Sequence, residues 1–124
     1  MAWELDADRP IYAQLVERIQ REIVSGKYQP GEKLPSVRDL AAVAAVNPNT
    51  MQKAFAELER GGLIVTQRTS GRTVTLDTEL IESTREKLAA GHVQNFVSNM
   101  QELGYRKEEI QSFLEKQNLN VEAE

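Results

Sequence analysis

Asn49, Gln52 and Lys53 stand three and four residues apart in the run Asn47-Pro-Asn-Thr-Met-Gln-Lys-Ala-Phe55. In a helix that spacing places all three on one face. An Asn or Gln amide can form a bidentate hydrogen-bond pair with adenine N6 and N7, worth roughly 1–3 kcal/mol of base discrimination. A lysine ammonium suits a backbone phosphate. The other face of the same run carries Met51, Ala54, Phe55 and Leu58, apolar and again at helical spacing. A helix that hides the second set and shows the first near its N-terminus has the build of an element that enters a DNA major groove.

The neighbouring residues would hold such a helix in place. Asn47 is a good N-cap, and Pro48 fits the first helical position, where a missing N–H costs nothing. A second helix before it opens at Ser36, whose hydroxyl can cap orphan amides, with Asp39 three residues on as a shortened capping box. Residues 36–60 therefore predict two helices joined by a tight turn. Upstream, Ile11, Leu15, Ile19 and Ile23 step by four, with Tyr12 and Val16 widening the stripe. This predicts a helix that begins with Pro10 as its first residue and ends at a left-handed Gly26. Trp3 to Asp8 precede it as an extended arm. Pro30-Gly31 predicts a type II turn, with Leu34 as the apolar anchor of that loop.

Gly61-Gly62 stops the helix that carries Asn49. Leu63–Arg68 and Thr73–Leu76 are β-branched runs flanking Thr69-Ser70-Gly71-Arg72. They predict a β-hairpin with Gly71 and Arg72 at its tip. Arg68 and Arg72 occur in a stretch, residues 61–76, that contains no acid. Helix, helix, helix, hairpin is the order of a winged helix-turn-helix, so the expected fold is mainly α with a small β-hairpin over residues 1–76.

From Asp77 the pattern changes. Leu80, Ile81, Leu88, Val93, Phe96, Val97, Met100 and Leu103 lie on one broad stripe of a long helix, with Gly91 as a bend or a close approach to another helix. Gly104 ends it, and Lys107–Gln117 forms a second, short helix carrying Ile110, Phe113 and Leu114. Asn118 to Glu124 read as a frayed end. A helical hairpin of this size has more apolar surface than its own interior can hold, so burial against a second copy is expected, with Phe96, Val97 and Met100 at the interface. Residues 77–124 are thus read as a helical dimerisation tail.

Composition bounds the alternatives. The chain has 124 residues and no cysteine, which excludes a disulfide framework and a thiolate metal site. No apolar run approaches the roughly 18 residues of a membrane span, and the acidic start has no secretory pattern, so a cytoplasmic protein is expected. His92 stands alone and reads as a packing or interface residue. Glu108-Glu109 suit the positive end of a helix dipole better than acid–base chemistry. No phosphate-binding loop, nucleophile elbow or dinucleotide fingerprint occurs, so neither an enzyme nor a cofactor is expected. The net charge of −4 is unusual for a nucleic-acid binder, but the acid lies in the tail. Residues 1–76 hold ten Lys/Arg against nine Asp/Glu, and residues 77–124 hold five against ten. Phosphate attraction acts over about 8–10 Å at physiological salt, so local charge can outweigh the sum.

Five separated blocks resemble the GntR family of bacterial transcription regulators: Arg9-Pro-Ile-Tyr12, Ile23-Val-Ser-Gly26, Pro30-Gly-Glu-Lys-Leu-Pro-Ser-Val-Arg-Asp-Leu-Ala41, Asn47–Phe55 and Leu58-Glu-Arg-Gly-Gly-Leu-Ile64. The short helical tail is similar to that of the YtrA-type subgroup. The resemblance implies a homodimeric repressor on double-stranded DNA with a two-fold symmetric operator, often near genes for a membrane transporter. It also implies that Arg38 contacts DNA near the start of the second helix. By the same match Asn49, Thr50 and Gln52 meet bases and phosphates, and Gly71 approaches the minor groove. Pro48 departs from the arginine that many relatives carry there, and the wing lacks the usual Gly-x-Gly-Thr-Phe pattern. Two other readings stay open: a winged-helix protein-interaction module, and an effector-sensing regulator with a pocket at the dimer interface, its effector unknown.

Overall fold

The computed structural model describes residues 2–69 and 71–117. Ser70 of the hairpin tip and the expected frayed end, Asn118 to Glu124, lie outside the described residues. The elements are α1 (Ile11–Val24), α2 (Val37–Ala44), α3 (Pro48–Arg60), β1 (Ile64–Gln67), β2 (Gly71–Val74), α4 (Thr78–Glu102) and α5 (Lys107–Lys116). The architecture is mainly helical with one antiparallel hairpin. It divides into two compact units, residues 1–86 and 87–124.

In the first unit α3 packs on α1, α2 and β1. The stripe on α1 and the apolar face of α3 meet there: Leu15, Ile19, Ile23, Met51, Ala54, Phe55 and Leu58 are all buried. Leu34 and Leu40 close the core from the α1–α2 loop and from α2, and Ile64 and Val74 close it from the hairpin. Trp3 and Leu5 of the N-terminal arm pack against this core, as do Leu80 and Ile81 in the first turn of α4. Gln14 is buried and fixes the arm, accepting the Asp6 N–H at 2.7 Å and donating to the Asp6 carbonyl at 2.7 Å. Pro10 is not the first helical residue. Its ψ of 129° is extended, so it occupies the N-cap position and α1 starts at Ile11.

Two chain reversals follow from glycine's access to positive φ. Gly31 (φ +82°) closes the turn in which the Glu32 N–H bonds the Gln29 carbonyl at 3.0 Å. Gly62 (φ +86°) ends α3, where the Leu63 N–H bonds the Leu58 carbonyl at 3.1 Å. The hairpin pairs Ile64 with Val74 and Gln67 with Gly71. Residues 31–34 run along its other edge: the Gly31 N–H bonds the Val74 carbonyl, the Val74 N–H bonds the Glu32 carbonyl and the Leu34 N–H bonds the Arg72 carbonyl, each at 2.9 Å.

The second unit is built from the C-terminal part of α4 and from α5. Gly104 (φ +95°) caps α4, with the Tyr105 N–H on the Met100 carbonyl at 3.2 Å. Glu109 accepts the Arg106 N–H at 2.9 Å and so caps α5. That backbone bond and the Arg106 guanidinium hold its carboxyl below the usual value. Ile110 is buried, and Tyr105 meets Phe113 edge to face at 5.7 Å. Phe96, Val97 and Met100 are half-buried, whereas Val93, Leu103, Phe113 and Leu114 are exposed. None of the 25 residues of α4 is fully buried. α4 runs through Gly91 without interruption, and within the single chain a Cβ there would meet nothing within 4 Å.

Candidate nucleic-acid interface

The N-terminus of α3 is set by two side chains. Asn47 (ψ 131°) accepts the Asn49 N–H on Oδ1 at 2.8 Å, and Pro48 takes the first helical position. On α2, Ser36 Oγ accepts the Asp39 N–H at 3.0 Å. Between the two helices the chain turns at Ala45, whose φ of 61° and ψ of 47° are left-handed. Its N–H bonds the Ala42 carbonyl at 3.3 Å, and the Val46 N–H bonds the Ala41 carbonyl at 3.0 Å, which closes a Schellman turn without glycine.

Because Met51, Ala54 and Phe55 are at 0% exposure, the rotation of α3 about its axis is fixed. Asn49, Gln52 and Lys53 therefore face outward and are exposed, while Thr50 is half-buried. The Lys53 ammonium lies 3.9 Å from the centre of the Tyr12 ring on α1. Arg38, in the first turn of α2, is exposed and forms no ion pair among the described residues; Asp39 and Glu32 do not engage it.

At the wing, Arg68, Thr69 and Gly71 are exposed, and Gly71 has φ +79°. Arg72 is not at the tip. It pairs with Thr66 inside the hairpin ladder, and its Nε donates to Glu59 Oε1 at 2.5 Å. Thr66 Oγ1 donates to the other oxygen of Glu59 at 2.8 Å. The Arg72 bond, seconded by Thr66 and opposed by burial, holds the Glu59 carboxyl below its ordinary value. A further cation joins the wing from the α1–α2 loop. Lys33 bridges to Thr73 across the outer edge of β2, and its Cε is 3.7 Å from where a Cβ on Gly71 would stand.

Sequence reasoning missed Lys33, Glu59 and Ala45. Glu59 had a usable signal: it lies seven residues after Gln52 on the same helix face, and a carboxylate on a face expected to meet phosphates calls for a cation. Lys33 had none, because its place depends on pairing with a strand forty residues away. Among the described residues no group of three or more His, Cys, Asp or Glu could hold a metal ion, and no helix is long and apolar enough to cross a membrane.

Comparison with known proteins adds to this geometry. A family model described as bacterial regulatory proteins, gntR family, matches residues 11–74. The uncharacterized HTH-type transcriptional regulator YhcF of Bacillus subtilis is 37% identical over 107 residues, 86% of this chain and 88% of that protein. Among solved structures, a GntR family transcriptional regulator from Listeria monocytogenes superposes with a TM-score of 0.83 at 43% identity, over 92% of this chain and 100% of that one. The DNA-binding domain of AraR in complex with operator ORX1 matches 60% of this chain and 92% of that chain, with a TM-score of 0.52 at 30% identity. These relatives are transcription regulators, not enzymes.

Proposed function

Because the chain belongs to the gntR family of bacterial regulatory proteins, and is a DNA-binding transcriptional regulator by that membership, we propose that it is a cytoplasmic homodimeric repressor acting by operator occupancy. The observation that carries this reading is the outward set Asn49, Gln52 and Lys53 on a helix whose opposite face is wholly buried and whose first turn is pinned by Asn47. Asn49 and Gln52 read base edges. Arg38, Thr50 and Lys53 meet phosphates around them. At the wing, Arg68, Gly71 and Lys33 lie against the adjoining backbone or minor groove, and Arg72 reaches a phosphate from the side of the hairpin. AraR, whose DNA-binding domain is seen on an operator, supports DNA as the partner.

Residues 77–124 form the dimerisation tail in this reading. A 25-residue helix with no fully buried side chain, followed by α5 with Phe113 and Leu114 exposed, leaves apolar area that a second copy would cover. Phe96, Val97 and Met100 form the middle of that contact. Two recognition helices related by a two-fold axis then enter successive major grooves and exclude competing proteins from the site.

The test is enrichment of a duplex from a random-sequence pool by the full chain, followed by gel shift between about 0.05 and 0.2 M salt. A two-fold symmetric site with half-sites about 10–10.5 base pairs apart, or a multiple of this, is expected, with a steep salt dependence. A pool that yields no sequence, or a flat salt response, would overturn the reading in favour of a protein-interaction module.

A further inference from the structure

Glu59 lies in the last turn of α3, on the same face as Gln52, yet it is only half exposed because the hairpin covers it. The reason lies in strand alternation. Thr66 and Arg72 are register partners two residues from the Ile64–Val74 pair, so all four point to the same side of the hairpin, towards the helices. Glu59 takes one hydrogen bond on each oxygen, from Arg72 Nε at 2.5 Å and from Thr66 Oγ1 at 2.8 Å. One carboxylate thus ties both strands of the wing to the recognition helix. One turn earlier, the Phe55 ring lies 5.4 Å from the Arg72 guanidinium carbon and supports it on a second side.

Among the described residues only Nε of Arg72 is engaged: its two terminal nitrogens donate to no protein acceptor, and the side chain stays 28% exposed. A guanidinium is planar in itself; fixed at Nε by a carboxylate and flanked by a ring, it holds its remaining N–H groups in one orientation, from which a phosphate can accept two parallel bonds. We infer that Glu59 is a positioning residue for DNA binding, which docks the wing on α3 and aims the terminal nitrogens of Arg72 at a backbone phosphate. This rests on the proposed phosphate contact of Arg72.

The sign of one substitution separates positioning from plain electrostatics. A carboxylate near DNA repels phosphate, so its removal alone should tighten binding. A positioning role demands the reverse. With a duplex enriched by the wild-type chain as probe, Arg72→Ala should weaken binding about fivefold at 0.15 M salt, the counterion contribution of one phosphate contact, and lower the salt slope by about one. Glu59→Gln should lose a similar factor and a similar slope although it removes a negative charge. The double variant should be no weaker than Arg72→Ala, because Glu59 acts through Arg72.

Equal or tighter binding by Glu59→Gln, with Arg72→Ala weakened, overturns the positioning role and leaves the Arg72 contact standing. An unchanged salt slope in Arg72→Ala removes the contact itself and the inference with it. Thermal melts of each variant report the fold. If Glu59→Gln does not fold, Thr66→Val decides: it keeps the charge and removes one tether. A smaller loss of affinity in the same direction is expected, and unchanged binding overturns the inference.

Discussion

The ammonium of Lys53 on α3 lies 3.9 Å from the centre of the Tyr12 ring on α1. The contact joins the two helices at the edge of the proposed DNA surface, and it draws the lysine towards α1, away from the middle of the amide face. An exposed cation–π contact is worth about 0.5–1 kcal/mol. Tyr12→Leu should therefore lower the urea unfolding free energy by at least that amount, while Tyr12→Phe, which keeps the ring, should match the wild type within about 0.5 kcal/mol. Equal losses in both variants would assign the effect to the hydroxyl instead.

Ala45 holds a left-handed conformation that costs an L-residue roughly 1–2 kcal/mol and glycine little. Ala45→Gly should stabilise the first unit by about 0.5–1 kcal/mol, because the added freedom of glycine in the unfolded chain offsets part of the relief. Differential scanning calorimetry should show a midpoint raised by a few degrees. A lowered midpoint would mean that the turn is not strained.

Gln52 is exposed on the second turn of α3, one helical turn beyond Asn49. Gln52→Ala should cost about 1–3 kcal/mol of specific binding and relax the preference at one base pair, with non-specific binding unaltered. Repeating the enrichment with the variant checks this; an identical consensus would remove Gln52 from the readers.

Phe96 is half-buried within the single chain and lies on α4 between the exposed Val93 and Leu103. A charge at this position should disrupt a two-fold contact twice over, since burying such a side chain is worth roughly 1.5–3 kcal/mol per copy. Phe96→Glu is expected to sediment as a monomer and to lose operator affinity. The first unit should keep its melting transition, because its core of Leu15, Ile19, Phe55 and Leu58 includes no residue beyond 86. A dimer of unchanged strength would place the interface elsewhere.

The depressed Glu59 carboxyl is expected to contribute to the loss of stability in acid. Its folded-state pKa lies below the ordinary value of 4.5, through the bonds from Arg72 and Thr66. The ionised form therefore adds stability above that ordinary value, and the addition is lost as pH falls through the lowered folded-state value. Between about pH 6 and pH 3 the wild type should lose more unfolding free energy than Glu59→Gln does, as measured by urea titration. Parallel losses would mean that other carboxylates set the acid limb.

Much of the architecture was legible because it rests on neighbours in the chain. The caps at Ser36 and Asn47, the stop at Gly62, the turn at Gly31 and the stripe on α1 each involve residues within one or two helical turns, and the structure reproduces them. The outward face of α3 was legible for the same reason: Met51, Phe55 and Leu58 fix its rotation, so Asn49 and Gln52 have only one side left. The sequence pattern puts Arg72 at the hairpin tip whereas the structure pairs it with Thr66, because a run of β-branched residues sets strand type but not register. Register followed from burying Ile64 opposite Val74.

The sequence by itself determined which helices form, which of their faces turn inward and which polar side chains of α3 are left exposed, since helical period and capping are local properties of the chain. Tertiary structure alone decided that Glu59 holds both Thr66 and Arg72, that Lys33 joins the wing, and that Ala45 takes a glycine's conformation. Those outcomes depend on bringing distant segments into register around one core, and on packing strong enough to impose an unfavourable backbone angle. No spacing along the chain encodes either of them.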